Sequence, residues 1–195
     1  MSSYVTSLSA AQISALTTTA VSALTKTDIK SLTTDQIQAF TVEEIQALSS
    51  TQITYLTTTQ VAALTTTQIS ALSVGQMSFS SSQLAVLIED QIEAFGADEI
   101  AALTTQQLRG FTATELGELT SAQFAALSAV QLGSLTTTQI KGLSTEQLAS
   151  LTATQLSGLT STQLGAMTTT QISALTTTSI AALTTTQIKG LTATE

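Results

Sequence analysis

The chain has 195 residues and a formal net charge of −8, and only 9% of its residues are charged, so its polar character comes mainly from Thr, Ser and Gln. It has 5 Lys and Arg, no His and no Cys. That composition excludes disulfides, thiolate metal sites and His- or Cys-dependent triads, and it leaves too few cations for a phosphate-tracking stripe. Nucleic acid and anionic membrane surfaces are therefore not expected partners, and no apolar run is long enough to insert into a membrane.

Ser2, Ser3 and Tyr4 follow Met1 without the basic and apolar regions of a signal peptide, so none is expected in this chain. From Leu8 an eight-residue unit, L-T-T-T-Q-I-x-A, takes over; Leu64 to Ala71 is a nearly ideal copy. A fixed short period signals a repeat architecture. Position 1 is Leu8, Leu16, Leu24, Leu32, Phe40, Leu48, Leu56, Leu64 and Leu72, then Phe79, Leu87, Phe95, Leu103 and Phe111, with the same spacing on to Leu191. Position 6 is always large and apolar, as in Ile13, Val61, Met77, Leu108 and Phe124, and position 8 is mostly Ala, Gly or Ser.

Position 2 is Ser or Thr in 22 of 24 copies, and position 5 is Gln or Glu in 21 of 24. A hydroxyl followed three residues later by Gln or Glu is the capping box, in which each side chain satisfies the other residue's backbone amide. Positions 1 and 6 then fall at the two sites of the hydrophobic staple, so two helix-start rules coincide in nearly every unit. One continuous helix fails, because eight residues advance about 800° and the Leu row would spiral over every face. The pattern predicts a helix restarted in each octad, running from position 3 to position 8 or 1. Small residues at positions 7 and 8, with Gly110, Gly142, Gly158 and Gly190, leave room for a tight helix exit and for close neighbours.

The fold class expected is all-α, a solenoid or superhelix of about 23 tandem eight-residue units, each a short capped helix stable only when stacked on others. The alternative is a β-solenoid, which the Thr content favours. Against it, positions 1 and 6 have opposite parity and would point to opposite faces of a strand.

The spacing slips once. Residues 72–78 form a seven-residue unit, dividing 8–72 from 79–195 within a single repeat array covering 1–195. Two following starts carry Ile88 and Gly96 in place of a hydroxyl, and Glu89, Asp90, Glu93, Asp98 and Glu99 cluster in the same stretch, so the register break is placed at 73–99. It reads either as a tolerated deletion with a local kink or as a hinge or interaction patch. Clustered carboxylates suit a hard cation such as calcium, but a solvated acidic face is the simpler reading. The pairs Glu43/Glu44 and Asp98/Glu99 meet the positive ends of helix dipoles. No catalytic, cofactor-binding or metal residue is singled out, no cofactor is expected, and an enzyme is the least favoured class. The array stops partway through a unit at Thr192 to Glu195, as a cut through a longer array would.

The L-T-T-T-Q-I-x-A units, most closely from Leu64 to Leu72 and from Met167 to Leu191, resemble arrays in very large bacterial surface or secreted proteins often labelled heme-utilisation or adhesion proteins. The resemblance implies an extracellular or cell-surface scaffold. It transfers no heme ligand, since His is absent and the Tyr and Met residues recur at no fixed position. The expected function is a rod-like or superhelical structural spacer of a surface adhesin or filament, associating with itself, with other surface proteins or with polysaccharide. The alternative is a Thr-rich module that binds ice or polysaccharide.

Overall fold

A computed structural model describes residues 4–192. Among these residues the regular elements are 22 short α-helices and two 3-10 turns, Tyr4–Ser7 and Val74–Gln76, with no strand. The chain is a helical solenoid, and the β-solenoid alternative is not what forms. Local chemistry explains the choice. Thr57 adopts extended backbone (φ −75°, ψ 160°) and its hydroxyl accepts from the Gln60 amide at 3.2 Å. Gln60 Oε1 accepts in return from the Thr57 amide at 2.8 Å, and the helix Thr58–Ala62 starts there. The same reciprocal pair recurs along the chain, for example at Ser9/Gln12, Thr112/Glu115 and Thr168/Gln171.

Most of these helices stop at position 7, one residue before the expected exit, although Lys26–Ser31, Val42–Ala47 and Thr137–Gly142 reach position 8. The last turn tightens: the Leu64 amide donates to the Val61 carbonyl three residues back, at 3.1 Å. Among the described residues no glycine has positive φ. The expected glycine-assisted helix exit is therefore not used, and Gly142, Gly158 and Gly190 serve packing instead.

Positions 1 and 6 form the core. Val61, Leu84, Ile100 and Leu132 at position 6 are fully buried, and the Leu and Phe residues at position 1 are nearly so from Leu24 to Leu183. The chain forms two compact units, Met1–Ala102 and Leu103–Glu195. In the first, Thr18–Ser22 packs on Val42–Ala47, and Thr34–Gln38 on Thr58–Ala62. In the second, Ala113–Gly117 packs on Thr137–Gly142, and Ser161–Gly165 on Thr185–Thr192. Within each unit a helix therefore meets the third helix after it, so one superhelical turn takes somewhat more than three octads.

The seven-residue unit absorbs its missing residue locally. Its helix shrinks to the 3-10 turn Val74–Gln76, and Met77 leaves the helical region (φ −72°, ψ 55°). Downstream, Phe79 and Phe95 meet edge to face with centroids 6.2 Å apart. At Ile88 and Gly96 no side chain caps the helix, although the Ile88 amide still donates to Gln91 Oε1 at 3.0 Å. Among the described residues no helix is long and apolar enough to cross a membrane.

Candidate functional site

The position-5 glutamine does more than close a capping box. Gln52 is 4% exposed. Its Oε1 accepts from the Ser49 amide, and its Nε2 donates to the carbonyls of Val21 and Leu24, both at 2.9 Å, in the preceding turn. Those carbonyls lie 31 and 28 residues upstream. Gln60 reaches Ile29 and Leu32 at the same offsets, Gln139 reaches Leu108 and Phe111, and Gln187 reaches Leu156 and Leu159. Only a primary amide has an acceptor for the cap and two donors for the turn behind. Capping alone would accept Glu as readily as Gln; the stacked turns explain why Gln prevails.

This ladder crosses the seven-residue unit. Gln76 still reaches Ile45 and Leu48 at offsets of 31 and 28, and Gln83 reaches Ile53 and Leu56 at offsets of 30 and 27. Gln36, bonded to Val5 and Leu8, is the first rung among the described residues. Two of the three departures from Gln or Glu, Ala20 and Asp28, precede it in the chain.

The third departure is Ser179, which is 5% exposed and too short to bridge; its hydroxyl lies 2.8 Å from Thr176 Oγ1. Its upstream counterparts by the common offsets are the Leu148 and Leu151 carbonyls. Ser179→Gln is expected to stabilise the second unit by about 1–2 kcal/mol through the two new inter-turn bonds. Chemical denaturation of the variant beside the parent measures this, and a loss of stability would contradict the ladder.

Positions 7 and 8 hold a second inter-turn contact, at an offset of 25 residues. Ser22 Oγ donates to the Ala47 carbonyl at 3.0 Å, and Arg109 Nε donates to the Ser134 carbonyl at 3.0 Å. Elsewhere two glycines meet: a Cβ on Gly117 would lie 2.5 Å from the Gly142 carbonyl oxygen. Gly133 faces Gly158 and Gly165 faces Gly190 in the same way. Each of these position-7 glycines is thus matched by a glycine 25 residues later. That pairing is visible in the sequence and would have revealed the stacking offset. Another contact joins positions 3 and 8, where Lys26 Nζ lies 5.6 Å from the centre of the Tyr55 ring.

The outer surface carries the repeated hydroxyls. Thr17 to Thr19, Thr136 to Thr138 and Thr184 to Thr186 are exposed, as are Thr58 and Thr59. The position-2 hydroxyls in these runs already accept from the position-5 amide, as Thr136 does from Gln139 at 3.2 Å. Positions 3 and 4 therefore present most of the uncommitted polar surface. The acidic cluster is spread over Glu89–Glu93 and Ala97–Ala101, with Glu89, Asp90, Glu93 and Asp98 exposed and Glu99 half-buried. Among the described residues no group of three or more His, Cys, Asp or Glu is placed to hold a metal. An open groove of about 540 Å³ in the second unit is lined by Lys141, Met167, Ile172 and Leu191, among others.

The model of the family described as the ALTTAQ repeat matches this chain over residues 21–58, 43–74, 129–161 and 159–193, more than half of its length. No curated protein matches the chain.

Proposed function

We propose, for a chain that belongs to the ALTTAQ repeat family, a non-enzymatic structural role as a scaffold or spacer segment of a bacterial surface adhesin or filament. The reading treats 1–195 as one array whose register changes between 8–72 and 79–195. The glutamine ladder carries it: within each compact unit the most regularly placed buried polar side chains are spent on joining a turn to the one before. Such a design extends by adding octads and puts its chemistry into cohesion. Self-association and contact with other surface proteins or polysaccharide belong to the same reading, as does an extracellular or cell-surface location.

Light scattering across a dilution series tests the self-association. The expected result is a mass that rises with concentration; a strict monomer at the highest concentration would remove that part of the reading. Antibody labelling of intact cells tests the location. A second reading, a Thr-rich module for ice or polysaccharide, is favoured by the exposed hydroxyls at positions 3 and 4. Other copies put Val42, Glu43, Val74 or Asp90 in those places, and this interrupts the uniform surface that a flat ligand needs. Retention on immobilised glycans, or thermal hysteresis, with no concentration-dependent mass would move the assignment to this second reading.

A further inference from the structure

At position 5 of its octad, Glu44 stands where the neighbouring octads carry Gln36 and Gln52. It is 2% exposed, and its Oε2 accepts from the Thr41 amide at 2.7 Å, which closes the capping box. Its Oε1 is buried and has no hydrogen-bond partner. On the flanking rungs the corresponding atom is a donor. Gln36 Nε2 donates to the carbonyls of Val5 and Leu8, and Gln52 Nε2 to those of Val21, Ser22 and Leu24. At the same offsets from Glu44 stand the carbonyls of Ile13, Ser14 and Leu16. Residues 14–17 link the helices Ala10–Ile13 and Thr18–Ser22, which pack on Thr34–Gln38 and Val42–Ala47. This rung therefore gathers oxygens where its neighbours pair oxygens with an amide donor.

Backbone carbonyls and a carboxylate are the ligands by which proteins replace the hydration shell of a hard cation. We propose that Glu44 Oε1 and the carbonyls of Ile13 and Leu16 bind an alkali cation, sodium or potassium, that ties the first turn of the solenoid to the second. Charge sets the valence. One carboxylate among neutral carbonyls is balanced by a single positive charge, whereas calcium loops draw on several acidic side chains.

No neighbouring helix supplies that charge. Thr18–Ser22 and Thr66–Ser70, which pack on Val42–Ala47, carry no Lys or Arg, and neither do Ala10–Ile13 and Thr34–Gln38. On its own helix the only other charged residue is Glu43, which is exposed. A buried carboxylate is paired or coordinates a cation because its desolvation is otherwise uncompensated. Ser14 and Ala15 are exposed, so an ion can reach the Ser14 and Leu16 carbonyls from solvent.

Thermal unfolding of the parent, Glu44→Gln and Glu43→Gln at one fixed pH tests the site. Each protein is melted at the same ionic strength in sodium chloride, potassium chloride and N-methylglucamine chloride, whose cation is too large to enter. The parent should melt about 3–6 °C higher in at least one alkali salt, for an ion at about fifteen times its dissociation constant. Glu43→Gln should respond as the parent does. In Glu44→Gln the amide closes the rung, and the gain should vanish. General effects of the salts act on all three proteins, so the difference between parent and Glu44→Gln isolates the site. The salt that gives the larger gain identifies the ion. Equal responses in the parent and Glu44→Gln, or none in the parent, would overturn the proposal. Amide exchange at residues 13–16 and 41–45 gives a second readout: protection there should rise with the alkali salt in the parent and stay level in Glu44→Gln.

Discussion

Gln60→Met is expected to cost the first unit roughly 2–5 kcal/mol, although it preserves volume and apolar packing. Gln60 is 3% exposed and makes bonds of 2.7 to 2.8 Å to three backbone groups: the Thr57 amide and the carbonyls of Ile29 and Leu32. The Ile29 carbonyl keeps its bond from the Leu32 amide, but the Thr57 amide loses its side-chain acceptor and the Leu32 carbonyl its inter-turn donor. Each buried group orphaned in this way costs about 1–3 kcal/mol. Gln12→Met is the matching control. Gln12 is exposed and accepts from the Ser9 amide at 2.9 Å, so water can replace it, and the expected loss is within about 1 kcal/mol. Urea unfolding of both variants measures the contrast. Equal losses would mean that glutamine acts through capping alone and that the ladder contributes nothing.

Gly142→Ala should destabilise the second unit by about 1–3 kcal/mol. Helix propensity predicts the opposite sign, since Ala gains about 1 kcal/mol over Gly inside a helix. Packing decides. A Cβ at position 142 would lie 2.5 Å from the Ala113 carbonyl carbon and 2.7 Å from its Cα. These are backbone atoms, so Ala113–Gly117 and Thr137–Gly142 must separate to admit the methyl group. Gly75→Ala serves as the control, because its Cβ would meet only Ser73 Oγ at 3.9 Å. That change should be neutral or stabilise by up to about 1 kcal/mol. Thermal melts of the two variants settle the sign, and a stabilised Gly142→Ala would show that the close approach is slack.

The hydroxyl at position 2 and the Gln or Glu at position 5 announced most helix starts correctly, as at Thr65/Gln68 and Thr152/Gln155. The staple pattern likewise identified Leu64 and Ile69 as core. The helix exit was less legible, because closing on a carbonyl three or four residues back changes the boundary by one residue with little change in sequence. Gly142, read as a residue that eases the exit and admits close neighbours, proved to serve only the second role. Glu44, read as a charge at a helix N-terminus, does lie in the first turn of Val42–Ala47, but it is buried there and its Oε1 has no hydrogen-bond partner.

Interactions reaching three or four residues were thus determined by the sequence alone: where each helix begins, which residues face inward, and that the octad cannot stand by itself. What only the tertiary structure decided lies at offsets of 25 to 31 residues. It set which turn rests on which, why the amide at position 5 must be a donor as well as an acceptor, and why two glycines must meet. Those offsets depend on the angle between successive short helices. That angle comes from how whole rows of side chains pack against one another, and no single octad contains it.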